Sequence, residues 1–259
     1  MGQAFQPAER PPLAQDMPMG SPPATDVTSH IEYLRTASSR LEAAVDRAIE
    51  AGGANAFAAA SRLPDWTVGH VVTHLARNAD GIRRVLNGVT AGQQLQPYAS
   101  PQARADAIAA GARRDTATIA EDFRSATAQL MLTVDALAPE LWVATVDLGR
   151  GGPATADVVL AARLGEVEIH HHDLGVDEGL ALLDDDQANR LLAALLRSYV
   201  RTREVSDLTL QPDGRAPIVI GSGGAVVAGA ALDIVRWLSG RGDGSALRTA
   251  GGLPELPSW

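Results

Sequence analysis

Apolar residues recur at helical spacing in four stretches of the chain before residue 175. In the first, from about Thr28 to Ala51, Ile31, Leu34, Leu41, Val45 and Ile49 share one side. Asp26 or Thr28 is placed to cap its start, and the glycines at 52–53 to close its end. The second stretch fits Thr67–Asn87, with Val71, Leu75, Ile82 and Leu86 on one side and Gly88 just beyond. "PYASPQ" breaks the chain, and a long helical pattern then runs to about Leu137 with an interruption expected near Gly111. "DLGRGGPAT" reads as a turn-rich link. The fourth helix begins at Thr155 or Asp157, runs to about Asp173 and stops at Gly175. Four substantial helices in succession predict an antiparallel four-helix bundle.

Beyond Gly175 the pattern changes. "DDDQANRLLAALLRSYVRTR" predicts one more helix, with acids in its first turn and arginines in its last, as the helix dipole favours. "DLTLQPD", "APIVIGS" and "AVVAG" read as short strands joined by glycine- and proline-containing turns, and "ALDIVRWLSG" as an amphipathic helix ending at Gly240. "GSGG" at 221–224 lies between two strand-like runs and is expected to be a hairpin turn, not a phosphate loop. The expected fold class is therefore α+β. A helical bundle spans residues 27–177 and a smaller α+β domain 178–259, with "LPELPSW" as a tail. Residues 1–26, rich in proline and short polar residues, are expected to form a disordered or loosely docked leader. No internal repeat is visible.

Composition narrows the function classes. Twenty-two basic against 31 acidic residues leave a net charge of −9, which argues against a broad basic face for nucleic acid or an anionic membrane. No run approaches the roughly 18 apolar residues of a membrane span, and the N-terminus lacks the cationic start and apolar run of a signal peptide. The chain has no cysteine. That excludes disulfides, thiolate ligands and a protein-borne thiol nucleophile, and it is compatible with a cytoplasmic location. Any sulfur chemistry has to come from a cofactor.

Two pairs could hold a metal. On a helix, residues four apart lie on one face. His70 and His74 have that spacing in "WTVGHVVTHLARNAD", and so do Glu166 and His170 in "GEVEIHHHDLG". His171 and His172 are rotated by about 100° and 200° from His170 and cannot share its face. Asp173 returns to it, within reach of a hydrogen bond to a ligand. A bundle that brings these helices together could collect one or two histidines of the first pair with Glu166 and His170. Three such ligands would suit Zn²⁺ or a similar divalent ion and leave one position open for water or substrate. The spacing alone also fits chance pairing or a buried His–Glu hydrogen bond. No HExxH, P-loop or GxSxG pattern is present.

"LPDWTVGHVVTHLARNADGIRRVLNG", residues 63–88, resembles the signature of the mycothiol-dependent maleylpyruvate isomerase family, within the DinB-like metal-binding superfamily. "GEVEIHHHDLG" resembles that family's second metal helix, and "IVRWLSGRGDG", residues 234–244, its C-terminal segment. The resemblance runs from about Thr28 to the end. It implies a DinB-like bundle followed by an α+β domain, with His74, Glu166 and His170 as metal ligands and Arg241 as the catalytic arginine. His70 would not be a ligand. His171 and His172 depart from the pattern and have no assigned task.

The resemblance implies two cofactors, a divalent metal such as Zn²⁺ and the thiol mycothiol. It implies cis–trans isomerisation of maleylpyruvate to fumarylpyruvate, in which a metal-activated thiolate adds to the double bond, allows rotation and leaves. The small-molecule dicarboxylate would be met by an arginine fork. A mycothiol S-transferase acting on another electrophile would share these ligands and differ in its pocket. A non-catalytic metal-binding module is the third reading, disfavoured because all three ligand positions are intact.

Overall fold

A computed structural model describes residues 24–149, 152–202 and 207–256. The expected leader lies almost wholly outside these residues. Helix α1 (Ala24–Gly52) is already formed at Ala24, so Asp26 and Thr28 lie inside it and do not cap it. Helix α2 (Val68–Thr90) runs past Gly88 to a turn at Ala91–Gly92. The expected interruption at Gly111 is real. It separates α3 (Pro101–Gly111) from α4 (Thr116–Ala136), and the Asp115 side chain caps α4 by accepting from the Thr118 backbone N–H at 2.9 Å.

Helices α1, α2, α4 and α5 (Val158–Leu174) form the four-helix bundle; α1 and α2 each pack against both α4 and α5. The link between α4 and α5 is more ordered than its composition suggests. It contains an antiparallel pair, β1 (Thr145–Asp147) and β2 (Pro153–Thr155). Each strand has only three residues, too few to show period-two alternation.

Helix α6 (Asp185–Thr202) covers the outer side of α5, and α7 (Ala231–Leu238) packs on α6. Alongside lies a sheet of order β4-β3-β5, built from β3 (Leu208–Pro212), β4 (Ile218–Ile220) and β5 (Ala225–Gly229). β3 pairs antiparallel with β4, Leu208 opposite Ile220, and parallel with β5, Leu208 opposite Ala225. Residues 221–224 are therefore not a hairpin turn, because the strands they join do not pair. They arch over the start of β3, where the Ser222 N–H donates to the Asp207 carboxylate at 3.1 Å. A Cβ on Gly224 would lie 2.3 Å from the Asp207 carbonyl oxygen, so the arch needs glycine there.

One apolar core runs from α1 to α7, including Leu34 and Leu41 of α1, Leu75 of α2, Phe123 of α4, Leu164 and Ile169 of α5, Leu191 of α6 and Ile234 of α7. α5 sits at its centre and is buried almost all round. Its polar residues are therefore enclosed by neighbours. Among the described residues no helix is long and apolar enough to cross a membrane.

Candidate metal centre

The start of α2 is set by a capping box. The Thr67 hydroxyl accepts from the His70 N–H at 3.4 Å, and His70 Nδ1 accepts from the Thr67 N–H at 3.2 Å. His70 is thus engaged at the helix end. One turn on, His74 points inward and is 2% exposed. Trp66 packs against both rings, its centroid 5.9 Å from His70 and 5.8 Å from His74. The residue before it, Asp65, has a φ of +62°, a left-handed turn that side-chain-bearing residues seldom adopt.

From the other side α5 presents Glu166 and His170. Glu166 Oε2 lies 2.7 Å from His74 Nε2 and 3.3 Å from His170 Nε2. One ligand atom from each of the three residues lies within 4.8 Å of the others, the one such cluster among the described residues. Glu166 is the most open member, its side chain 28% exposed, so the cluster has a wet side. Two imidazole nitrogens and a carboxylate oxygen are the donor set of a three-ligand zinc site with an open position.

Behind His170 the arrangement suits a ligand. Its Nδ1 faces Asp173 Oδ2 at 2.8 Å, so an Nδ1–H has an acceptor and Nε2 is left for the cluster. Arg241 comes from beyond α7 to grip the same carboxylate, with Nε to Oδ1 at 3.0 Å and Nη2 to Oδ2 at 2.6 Å. The reach from the C-terminal part back to the bundle exists. It ends on Asp173, at the edge of the His170 ring that faces away from Glu166. His171 Nε2 instead meets Asp177 at 3.0 Å, and His172 meets Arg62 at 2.7 Å. Neither shares the Glu166 face.

The electrostatics separate the two histidines. Burial drives His74 down to about 4, outweighing the nearby Glu166 carboxylate, so its ring is neutral. Burial also acts downward on His170, but hydrogen bonds to Asp173 and Glu166 outweigh it and raise its pKa above the ordinary value. Burial would raise Glu166, yet the two imidazoles hold it well below the carboxylate range.

Two arginines that the sequence reading did not single out belong to the centre. Arg163, one turn before Glu166, is 1% exposed. Its Nη1 donates to the Leu75 carbonyl at 2.9 Å and to Asn78 Oδ1 at 2.8 Å, while Nη2 reaches Thr127 at 3.5 Å. It ties the Glu166 turn of α5 to the residue that follows His74 on α2. Burial pulls it down to about 10, so it is charged at neutral pH. Its position on the Glu166 face, three residues before it, is a signal the spacing argument could have used. Arg104 of α3 places Nη2 3.1 Å from His74 Nδ1 and its guanidinium carbon 5.7 Å from the centre of the Tyr98 ring. Nothing local in the sequence marks Arg104. Its place depends on α3 docking against α2, where Gly111 packs so closely that an added Cβ would meet the Thr73 methyl at 2.4 Å.

Residues 38–175 match the family model described as the mycothiol maleylpyruvate isomerase N-terminal domain. The chain belongs to this family. The match begins inside α1, ends just after α5 and contains all three cluster residues of this family member, whereas Arg241 lies beyond it. Over most of its length the family member is similar to two solved structures. One is a crystal structure of the mycothiol-dependent maleylpyruvate isomerase, 24% identical, covering 91% of this chain and 99% of that one, with a TM-score of 0.75. The other is a histidine-to-alanine mutant of that enzyme, 23% identical, with the same coverages and TM-score. At these identities the likeness carries the fold. A comparison with curated proteins finds no match.

Proposed function

We propose that this protein is a metal- and mycothiol-dependent isomerase that converts maleylpyruvate to fumarylpyruvate in the cytoplasm. The observation that carries the reading is the convergence of His74, Glu166 and His170, from two helices, with their ligand atoms within 4.8 Å in a chain of this family. These three residues would hold the metal, and the two-nitrogen, one-oxygen donor set favours Zn²⁺. When bound, the metal and thiol supply a thiolate at neutral pH whose reversible addition to a conjugated alkene lets that bond rotate.

The chain's own residues do the rest. Asp173 fixes the His170 ring through Nδ1, and Arg241 keeps Asp173 ionised and oriented. In this reading the contribution of Arg241 to catalysis runs through that carboxylate. Trp66 and Tyr98 stand as aromatic walls on two sides of His74 and Arg104. Having no cysteine, the chain supplies no competing thiol.

The test is turnover of maleylpyruvate by zinc-loaded protein, with and without mycothiol, followed by proton NMR. The expected result is conversion to the trans isomer only with both cofactors, with about one divalent ion per chain that His170→Ala loses. Absence of isomerisation under these conditions overturns the assignment. Accumulation of a mycothiol conjugate of an electrophile instead would make the protein an S-transferase.

A further inference from the structure

The two histidines of the cluster have opposite partners at their far nitrogens. His170 Nδ1 faces a carboxylate, which accepts; His74 Nδ1 faces the Arg104 guanidinium, which can only donate. A neutral imidazole that coordinates through Nε2 carries its hydrogen on Nδ1. For His170 that hydrogen has its acceptor. For His74 it would point at an N–H of Arg104. The Arg104 contact therefore fits only the metal-free tautomer, in which His74 donates from Nε2 to Glu166 and accepts at Nδ1.

Besides His74, Arg104 hydrogen-bonds the Tyr98 side chain, a neutral phenol. Among the described residues no carboxylate lies within ion-pair distance of its guanidinium, unlike Arg77, Arg114, Arg197 or Arg241, each of which has one. Its side chain is half-buried beside Tyr98, which also lines a cavity of about 480 Å³ between α2, α3 and the segment before α3.

Resting on the isomerase reading, we propose that Arg104 changes partner when the metal site fills. It leaves His74 Nδ1 and takes a carboxylate of the dianionic substrate, held over the Tyr98 ring. The fork of a guanidinium matches a carboxylate in two-point fashion, and release from His74 frees the Nη2 end of that fork. Arg104 is thus the residue that recognises the acid, and it does so only in the loaded protein.

The experiment has a metal arm and an acid arm. In the first, zinc is titrated into metal-free wild type and Arg104→Met by competition with a chromophoric chelator. Roughly tenfold tighter binding to the variant is expected, because the donor opposing Nδ1–H is gone. Unchanged or weaker affinity would overturn the partner change. In the second arm, maleate is titrated into zinc-loaded wild type and Arg104→Met by calorimetry. Roughly tenfold weaker binding to the variant is expected, and equal binding overturns the recognition role. Neither arm depends on turnover. Failure of isomerisation with both arms intact would refute the reaction and leave the role of Arg104 standing.

Discussion

Arg163→Met removes the tie between the two metal-bearing helices while keeping an apolar side chain of similar length. The lowering of Arg163 from 12.5 to about 10 by burial corresponds to a penalty of roughly 3 kcal/mol on its charged form. Against this stand two short bonds from Nη1, to Leu75 O and Asn78 Oδ1, each worth about 1.5–3 kcal/mol as charge-assisted hydrogen bonds. Its Nε, buried with no hydrogen-bond partner among the described residues, adds no bond to offset that penalty. The net stabilisation is then small, about 0–3 kcal/mol, and Met recovers part of it by burial. Global stability should therefore change little, by about 1–2 kcal/mol at most. Zinc affinity should change more. Without Arg163 the backbone of the Glu166 turn is no longer tied to Leu75 and Asn78 of α2, and losses of about 10- to 100-fold are typical when a ligand's support is removed. Chelator competition measures the affinity and urea unfolding of the metal-free protein measures the stability. Loss of stability by several kcal/mol with zinc affinity within twofold of wild type would refute the reasoning and make Arg163 an ordinary core residue.

Other consequences follow from the same centre. Asp173→Ala should lower zinc affinity about 10- to 100-fold by chelator competition and cost about 3–5 kcal/mol on urea unfolding, because Arg241 loses its carboxylate. Arg241→Lys breaks the two-point contact and should lower isomerisation in the turnover assay while metal content, read by elemental analysis, is retained. Gly111→Ala should cost about 1–3 kcal/mol through the clash with the Thr73 methyl, and Thr73→Ala should restore most of it; strict additivity in thermal unfolding would exclude that contact. For pH, His170 binds its proton more tightly than an ordinary histidine and His74 less tightly. Metal must displace the His170 proton, so zinc affinity is full above the raised His170 value and declines as pH falls through it, beginning above pH 6.5. Calorimetry in buffers of different ionisation enthalpy should register close to one proton released as pH falls below that value, and none well above it.

The parts of the site that were legible in the sequence are those fixed by one helix. The four-residue spacing of Glu166 and His170 puts both on one face wherever α5 packs, and Asp173 follows by the same geometry. Which histidine of the upstream pair would join them was not legible from spacing. It is decided by Thr67, whose capping box occupies His70 and leaves His74 to face α5. Arg241 meets an aspartate 68 positions away and Arg104 meets a histidine 30 positions away. Both contacts are set by how α3 and the C-terminal part dock, which leaves no periodic trace. The sheet shows the same limit. Its strands were visible as β-rich runs, but the central place of β3, and hence the arch at 221–224, depends on pairing that local pattern does not encode.

The arginine on Asp173 also bears on how such proteins can be recombined. The family-matched segment 38–175 looks like a portable cassette, yet its metal helix is covered by α6 and steadied from residue 241. It also leans on Leu34 and Ala37, which precede it. A chimera that grafts 38–175 onto a foreign C-terminal half would leave Asp173 ungripped at the back of a ligand. Exchange between relatives has to carry the helix and its distant arginine together, so the two halves are expected to be inherited as a pair.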